Sequence, residues 1–228
     1  AAKRDTLPLA IVFFGMPASG KTSLLEAFRR QIASADEAPL ELEVVSEAIP
    51  LRRELTEHLI CWHDGACPGK ETAVILYDCD GKSAEELLGH PDKLCSKIER
   101  GALATAVRST DTLVLVIDAT ATVAEIEHLF HAFRGFLDSL EEDRVFHREV
   151  GGLPVFLTLT KCDLLAQPSD EPTDWLNRIE QRKEEITRHF QDYFAEELDD
   201  DDPTQIEPDP YYSFGSRDLQ VAATAIQL

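Results

Sequence analysis

Residues 15 to 22 read Gly-Met-Pro-Ala-Ser-Gly-Lys-Thr, which matches the Walker A pattern G-x-x-x-x-G-K-S/T at every fixed position. The apolar run Leu7–Phe14 comes directly before this stretch, and the helix-compatible stretch Ser23–Gln31 follows it. Between a strand and a helix, glycines allow successive backbone N–H groups to turn toward one anion, and the helix adds the positive end of its dipole. The pattern and its flanks together predict a loop that binds a polyphosphate.

The residues of this loop have separate expected roles. Gly15 and Gly20 give the backbone its freedom, Lys21 can reach the β- and γ-phosphates, and Thr22 offers a hydroxyl to Mg²⁺. The nucleotide contacts that we expect from this region come from Gly15, Ala18, Ser19, Gly20, Lys21, Thr22 and Ser23.

A second motif, D-x-x-G, occupies residues 78 to 81 at the end of the apolar run Thr72–Cys79. An aspartate in this position can hold a water of the Mg²⁺ shell. The glycine N–H can meet a γ-phosphate at a point where a side chain would obstruct the approach. We therefore predict that Asp78 serves the metal and that Gly81 serves the terminal phosphate.

A third motif, T-K-x-D, begins at Thr160 and ends the apolar run Leu153–Thr160. The carboxylate of Asp163 can accept hydrogen bonds from the N1–H and the 2-amino group of guanine, and the stem of Lys161 would lie across the purine face. Adenine does not offer this pair of donors, so the wrong base would leave a buried acid unpaired. This motif therefore predicts a guanine nucleotide as the ligand.

The elements that must position these motifs alternate between apolar runs and helical periods. Such alternation predicts an α/β fold whose sheet is mostly parallel, with right-handed crossovers. We expect a three-layer α/β/α fold of the P-loop NTPase type, with about six strands, one of them antiparallel. The predicted strands are Leu7–Phe14, His58–His63, Thr72–Cys79, Thr112–Asp118, Leu153–Thr160 and Leu219–Ala223, and the predicted helices are Lys21–Ile32, Pro91–Arg108, Thr122–Glu142 and Asp174–Leu198.

The composition limits the possible partners. The 228 residues carry a formal net charge of −21, which argues against nucleic acid or anionic lipid as a partner. No run approaches the roughly 20 apolar residues of a membrane helix, so we expect no direct membrane insertion. The five cysteines form no C-x-x-C pair, which favours a reducing, cytoplasmic location. We expect one domain over residues 1–228, cut from a longer protein whose closing helix would follow Leu228.

With its three motifs in this order, each at a strand end, the chain resembles the P-loop GTPases of the Ras-like, translation-factor-related (TRAFAC) class. The resemblance extends from about Leu7 to Ala225. The stretch Leu153–Leu165 is also similar to the corresponding stretch of type VI secretion IcmF-like GTPase domains. The resemblance implies a single G domain that binds GTP and GDP with Mg²⁺, and a protein effector or regulator as its partner.

Two further elements of that class have candidates here. The resemblance implies a switch threonine that closes over Mg²⁺, and Thr56 has the expected separation from Asp78, just before the predicted strand His58–His63. It also implies a short turn whose backbone N–H meets guanine O6. Thr224 and Ala225 follow an apolar strand and fit this turn, with Ser213-Phe214 as the competing pair.

The catalytic equipment departs from the Ras-like pattern. Lys82 stands where Ras-like enzymes place a glutamine that orients the attacking water, so we expect slow or differently arranged hydrolysis. Arg53 lies three residues before Thr56, the separation of the catalytic arginine in G-protein α subunits. Arg53, or its neighbour Arg52, is therefore a candidate arginine finger supplied in cis, and a solvent-facing pair of arginines is the alternative.

Three functions fit these residues. The first is a GTP-hydrolysing switch, in which Lys21, Thr56, Gly81 and Arg53 act at the γ-phosphate. The second is a catalytically weak GTP-binding module that regulates or supports a larger protein. The third is a P-loop kinase for a small molecule, which a competition between GTP and ATP would separate from the first two.

Overall fold

The computed structural model describes residues 8–34, 40–41, 48–51, 54–64, 71–94, 101–145, 154–195 and 221–224. These residues form one eight-stranded sheet with helices on both faces. The strands are β1 Leu9–Phe14, β2 Leu40–Glu41, β3 Ala48–Leu51, β4 Leu55–Asp64, β5 Glu71–Cys79, β6 Thr112–Asp118, β7 Val155–Thr160 and β8 Val221–Ala223.

The five strands β5-β1-β6-β7-β8 lie side by side and are all parallel. Their carboxyl ends therefore meet at one edge of the sheet, which brings together the segments that follow β1, β5, β7 and β8. These are the segments in which the sequence places its motifs. The topology alone thus gathers Gly15, Asp78, Thr160 and Thr224 at one end of the molecule.

The remaining strands are antiparallel. β4 pairs with β5 over the register Leu55↔Cys79 to His63↔Glu71, and the short strands β2 and β3 both pair with β4. The predicted fold class, a three-layer α/β/α fold of the P-loop NTPase type with a mostly parallel sheet, is confirmed. The strands β2 and β3 were not predicted, because each is too short to carry a clear alternation.

The helices are α1 Lys21–Ser34, α2 Gly81–Gly89, α3 Ala102–Ser109, α4 Val123–Val145 and α5 Pro172–Ala195. The predicted helix Pro91–Arg108 is wrong: the chain forms a 3-10 helix at Pro91–Leu94, and α3 starts separately after Gly101. The helix α2 was not predicted. It begins directly after Asp80, whose side chain accepts a hydrogen bond from the Ser83 N–H and so caps the helix.

Apolar side chains on the two faces of β1 point into separate cores. Val12 and Phe14 lie in a large core built with α2, α3, α4 and α5, where the rings of Phe14 and Phe136 stack with centroids 4.9 Å apart. On the other face, Leu25 of α1 packs in a smaller core with residues of β4 and β5. No helix among the described residues is long and apolar enough to cross a bilayer.

Candidate functional site

The loop between β1 and α1 needs its glycines for space as well as for flexibility. A Cβ on Gly15 would lie 2.5 Å from the backbone oxygen of Val116, so the loop could not pass so close to β6 with any side chain there. Gly20 has φ +88°, and its Cβ would lie 3.1 Å from Oγ1 of Thr160. Ala18 also takes a left-handed conformation, with φ 59°. The loop is therefore strongly curved at its middle and at its end.

Lys21, the first residue of α1, is 5% exposed and points back into the loop. Its Nζ donates hydrogen bonds to the backbone oxygens of Gly15 and Met16, each at 2.8 Å, and to Oγ of Ser19 at 3.3 Å. Burial lowers the pKa of this ammonium group from its ordinary value of 10.5, although nearby acids oppose the shift. The loop thus holds a buried cation at its centre, which favours the arrival of an anion.

Asp78 at the end of β5 meets Thr22 at the start of α1. Oγ1 of Thr22 donates to Oδ2 of Asp78 at 2.8 Å. The other carboxylate oxygen, Oδ1, is buried and accepts no hydrogen bond from any residue that the structure describes. Burial raises the pKa of Asp78 above its ordinary value of 3.8, although the Thr22 hydrogen bond and the Lys21 charge both lower it.

This carboxylate and its neighbours fit a magnesium ion. The unsatisfied Oδ1 of Asp78 and the Thr22 hydroxyl are oxygen donors of the type that Mg²⁺ prefers, and a buried charge without a full set of partners calls for a cation or ordered water. Thr56 lies directly opposite Asp78 in the β4–β5 register, so both side chains are on the same face of the sheet. Thr56 lies inside β4 and not before it, because the strand begins at Leu55.

Gly81 lies against the phosphate-loop segment itself. As the first residue of α2, it approaches Pro17 so closely that a Cβ would fall 2.5 Å from the Pro17 Cα and 2.7 Å from its nitrogen. The preceding residue, Asp80, is joined to the start of β4 by a 2.9 Å hydrogen bond from its N–H to the Glu54 oxygen. The amino end of α2 is therefore fixed between the loop and β4.

Thr160 at the end of β7 is hydrogen-bonded to the loop between β1 and α1. Its hydroxyl is buried and donates to the backbone oxygens of Ser19, at 2.5 Å, and of Ile117, at 3.2 Å. This contact joins the T-K-x-D segment to the Walker A segment across 141 residues of sequence. The first residue of T-K-x-D thus stabilises the Walker A segment.

Lys161 and Asp118 form an ion pair at the same edge of the sheet. The Lys161 backbone is left-handed, with φ 57°, and its Nζ lies 2.5 Å from Oδ2 of Asp118 at the end of β6. The other Asp118 oxygen accepts from the N–H and the hydroxyl of Thr120. The pKa of Asp118 is lowered, because these hydrogen bonds and the Lys161 charge together outweigh its partial burial. The lysine stem is held in one position.

Asp163 lies in a 3-10 helix, Cys162–Leu165, that directly follows Lys161. The end of β8 contacts this segment: the Cys162 N–H donates to the Thr224 oxygen at 3.3 Å, and the Thr224 N–H donates to the Leu159 oxygen at 2.8 Å. The two segments proposed from the sequence for the purine base are therefore neighbours. Asp163 is half-buried.

One cavity of about 730 Å³ collects most of the predicted residues. Its lining includes Ala18, Gly20, Lys21, Thr22, Ser23, Thr56, Asp78, Gly81 and Lys161. Gly15, Ser19, Thr160, Asp163 and Thr224 contact this group or lie beside it but do not line the cavity. The predicted residues Arg53 and Ala225, with the alternatives Arg52 and Ser213-Phe214, lie outside the described residues.

Sequence reasoning missed Asp118 and Asp80. Asp118 ends β6 at the same sheet edge as the motifs, so the acid that closes the apolar run Thr112–Asp118 was an available signal. Asp80 lies inside the D-x-x-G motif and caps α2, a helix that was not predicted from the sequence.

Three solved structures are distantly similar to this chain. A variant of SsGBP in which a glycine is replaced by serine aligns with a TM-score of 0.44 and 14% identity, over 96% of this chain and 50% of that one. The Arl6 BBS3 small GTPase from Trypanosoma brucei, with a bound GppNp nucleotide analogue, aligns with a TM-score of 0.43 and 14% identity, over 96% of this chain and 87% of that one. A second SsGBP variant, with proline in place of a glycine, gives 0.40 and 16%, over 96% and 50%.

The chain spans about half the length of the SsGBP chains that it matches. No family profile matches the sequence, and no curated protein is significantly similar to it. At TM-scores this low the likenesses establish neither family nor function, so the fold and the site rest on the chain's own topology and contacts.

Proposed function

We propose that this chain is a guanine-nucleotide-binding domain that binds Mg²⁺-GTP and hydrolyses it to GDP and phosphate. The observation that carries the proposal is that three separate segments line one cavity: the loop from Ala18 to Ser23, the Asp78–Gly81 segment and Lys161. A buried lysine, a threonine–aspartate pair and a helix amino end in one cavity form a receptor for a polyphosphate with its metal.

The phosphates would enter beside Lys21. Their negative charge replaces the carbonyl oxygens of Gly15 and Met16 as the partner of the ammonium group, which needs only a small rotation of a long side chain. Ala18, Gly20, Lys21 and Thr22 line the same cavity, and backbone N–H groups of such a loop are suited to bind phosphate oxygens. Binding therefore replaces internal contacts of the loop with contacts to the ligand.

The metal would be held by Asp78 and Thr22, with Thr56 closing from β4. When bound, Mg²⁺ neutralises charge that develops on the phosphate oxygens. Asp78 would supply its unsatisfied Oδ1, and Thr22 would supply a lone pair of its hydroxyl oxygen while its O–H still donates to Oδ2 of Asp78. Gly81 presents its N–H from the first turn of α2, and its contact with Pro17 transmits a change at the γ-phosphate to that helix.

The base would lie near Lys161 and Asp163. Lys161 is paired with Asp118, and Thr224 contacts the segment that carries Asp163. In this proposal Asp163 would provide the carboxylate that distinguishes guanine, and the turn at Thr224-Ala225 would meet O6. We propose GTP and GDP as ligands for this reason.

The charge of −21 argues against nucleic acid as a partner. We also propose a protein effector or regulator as the partner and a cytoplasmic location, which the absence of a C-x-x-C pair among the five cysteines favours. The lack of a long apolar helix among the described residues argues against direct membrane insertion.

Hydrolysis would be slow without help. Lys82, which follows Gly81, is exposed and carries no acceptor that could orient water. Arg53 is the proposed finger. Changing Arg53 to alanine is expected to slow single-turnover GTP cleavage and to leave GTP binding intact, whereas an unchanged cleavage rate would remove Arg53 from the mechanism.

The exposed Lys82 also favours a second candidate, a GTP-binding module with little catalytic activity. A turnover assay beside a binding assay separates the two functions. Tight GTP binding with measurable phosphate release supports the enzyme, and tight binding without release supports the module. Equal competition by ATP would instead favour a P-loop kinase for a small molecule.

A further inference from the structure

Three side chains of α5 reach from one face of the helix to the loops around the proposed base site. They are Trp175, Arg178 and Arg182, spaced three and four residues apart, which places them along one side of an α-helix. Each one donates hydrogen bonds to backbone carbonyl groups of those loops. This set of three residues is called the α5 stripe below.

The first two members contact the T-K-x-D segment. Nε1 of Trp175 donates to the Cys162 oxygen at 2.8 Å. Arg178 donates through Nη1 to the Leu165 oxygen, and its guanidinium group also makes a two-pronged pair with Asp170 at 2.6 and 2.7 Å. The 3-10 helix that carries Asp163 is thereby tied at both of its ends to α5.

The third member contacts the loop after β6. Nε of Arg182 donates to the Ala119 oxygen at 3.0 Å, and its Nη2 donates to the Ala121 oxygen. This loop directly follows Asp118, whose carboxylate holds Lys161. Arg182 therefore fixes the loop that follows Asp118, on the Lys161 side of the proposed base site. Nη1 of Arg182 also pairs with Glu185 on the same helix.

The helix that carries the α5 stripe packs against the large core. Ile179, Ile186 and Phe190 are buried in the large core, and the ring of Phe190 meets that of Phe130 edge-on at 5.2 Å. A rigid helix that donates to carbonyl groups of two loops restricts how those loops can move relative to each other. Hydrogen bonds from charged donors such as arginine are stronger than those between neutral groups.

We infer that the α5 stripe positions the base end of the nucleotide site, so that Trp175, Arg178 and Arg182 are positioning residues for guanine selection and for slow nucleotide release. The inference rests on the proposed function, since it concerns the same site. The phosphate end is held by other contacts, from Lys21, Thr22 and Thr160, which α5 does not make. Changes in the α5 stripe should therefore weaken binding of the base and leave binding of the phosphates unchanged.

The test uses two variants of the whole chain. Trp175→Phe keeps an aromatic ring in place and removes only the N–H donor, and Arg182→Lys keeps the charge but cannot reach both carbonyl groups at once. We expect GDP to dissociate about five-fold faster from Trp175→Phe and about ten-fold faster from Arg182→Lys. Arg188→Lys, at an exposed position of the same helix, is the matched control and should release GDP as the wild type does.

The second readout is the affinity for inorganic tripolyphosphate, which has no base. An unchanged tripolyphosphate affinity together with faster GDP release supports positioning of the base site. An equal loss for both ligands would show general damage and would overturn the inference, as would unchanged GDP release in both variants. If the wild-type chain bound no guanine nucleotide, the proposed function itself would fail. Wild-type binding with unaffected variants would leave that function standing.

Discussion

Oγ1 of Thr22 donates a 2.8 Å hydrogen bond to Oδ2 of Asp78, which is 56 residues away in sequence. The contact joins the first turn of α1 to the end of β5, so the Walker A segment and the D-x-x-G segment are directly connected. It satisfies only one oxygen of a buried carboxylate. The site thus keeps a negative charge whose remaining partner must come from outside the described chain.

This unsatisfied charge predicts that Asp78→Asn stabilises the ligand-free protein while removing metal-dependent binding. Because burial raises the pKa of Asp78 above 3.8, the folded state binds its proton more readily than the unfolded state does. The free energy of unfolding therefore falls as the pH rises from 3.8 through the raised pKa, and the full cost is present at neutral pH. Neutralising the group should recover about 1–3 kcal/mol.

Thermal unfolding at neutral pH measures this gain, and the difference from the wild type should vanish below pH 3.8. Asp92→Asn, at an exposed acid in the 3-10 helix Pro91–Leu94, is the control and should change the unfolding temperature little. A destabilised Asp78→Asn protein that still binds GTP with Mg²⁺ would contradict the proposed metal site.

The contact between Gly81 and Pro17 predicts that Gly81→Ala damages the site. The new methyl group would fall 2.5 Å from the Pro17 Cα, so either α2 or the loop must move, at a cost of about 1–3 kcal/mol. We expect GTP to bind about ten-fold more weakly, because that cost falls on the segment that we propose to contact the γ-phosphate. GDP affinity should change less.

Gly89→Ala, at the other end of the same helix, provides the matched comparison. A Cβ at Gly89 would meet no atom within 4 Å, and alanine favours helix by about 0.5–1 kcal/mol over glycine. This variant should be as stable as the wild type or more stable, with normal GTP affinity. Equal effects of the two alanines on GTP binding would count against the role of Gly81.

The buried ammonium group of Lys21 predicts a pH dependence of phosphate binding. Its pKa is lowered by burial, and a bound anion favours the charged form, so binding takes up a proton at pH values above the lowered pKa of the ligand-free protein. Affinity for inorganic tripolyphosphate should therefore fall as the pH rises above that pKa. Calorimetric titration at several alkaline pH values measures the fall, and an affinity that does not change over the alkaline range would contradict the assignment of Lys21 to the phosphates.

The hydrogen bonds that Thr160 donates predict that Thr160→Val weakens the loop. Valine has the same shape but leaves the backbone oxygens of Ser19 and Ile117 without the buried hydroxyl donor, which costs about 1–3 kcal/mol of stability. Thr160→Ser retains the hydroxyl and should recover most of the loss, both in unfolding by denaturant and in tripolyphosphate affinity. If Thr160→Ser lost as much stability and tripolyphosphate affinity as Thr160→Val, the loss would come from packing and not from the hydroxyl, which would contradict this prediction.

The sequence predicts the sheet best where an apolar run has clear ends. β6 has the bounds Thr112–Asp118 that the apolar run predicts. The motifs fall at strand ends as expected, and they meet in space because parallel strands share one carboxyl edge. The helix predicted over Pro91–Arg108 is wrong because Gly101 interrupts the helical period and starts a new helix. Local periodicity therefore located the buried strands better than it located the shorter helices.

The contacts that hold the site together were out of reach of sequence reasoning. Trp175 and Arg182 donate to backbone oxygens, which every residue has, and the partners of Arg182 lie 61 and 63 residues away. Position 81 was also out of reach, because it requires glycine on account of the nearby Pro17 backbone and not because of its own backbone conformation. Spacing identified the motif residues, whereas only the packed chain identifies what positions them.

A titration of the whole chain with GDP, GTP and ATP in the presence of Mg²⁺, repeated with Asp163→Asn, tests the central claim most directly. We expect the wild-type chain to bind GDP and GTP and to discriminate against ATP, and we expect Asp163→Asn to shift the preference toward xanthosine nucleotides, because an amide can donate to the 2-oxygen of xanthine. Equal binding of adenine and guanine nucleotides by the wild type, or binding of neither, would contradict the proposal.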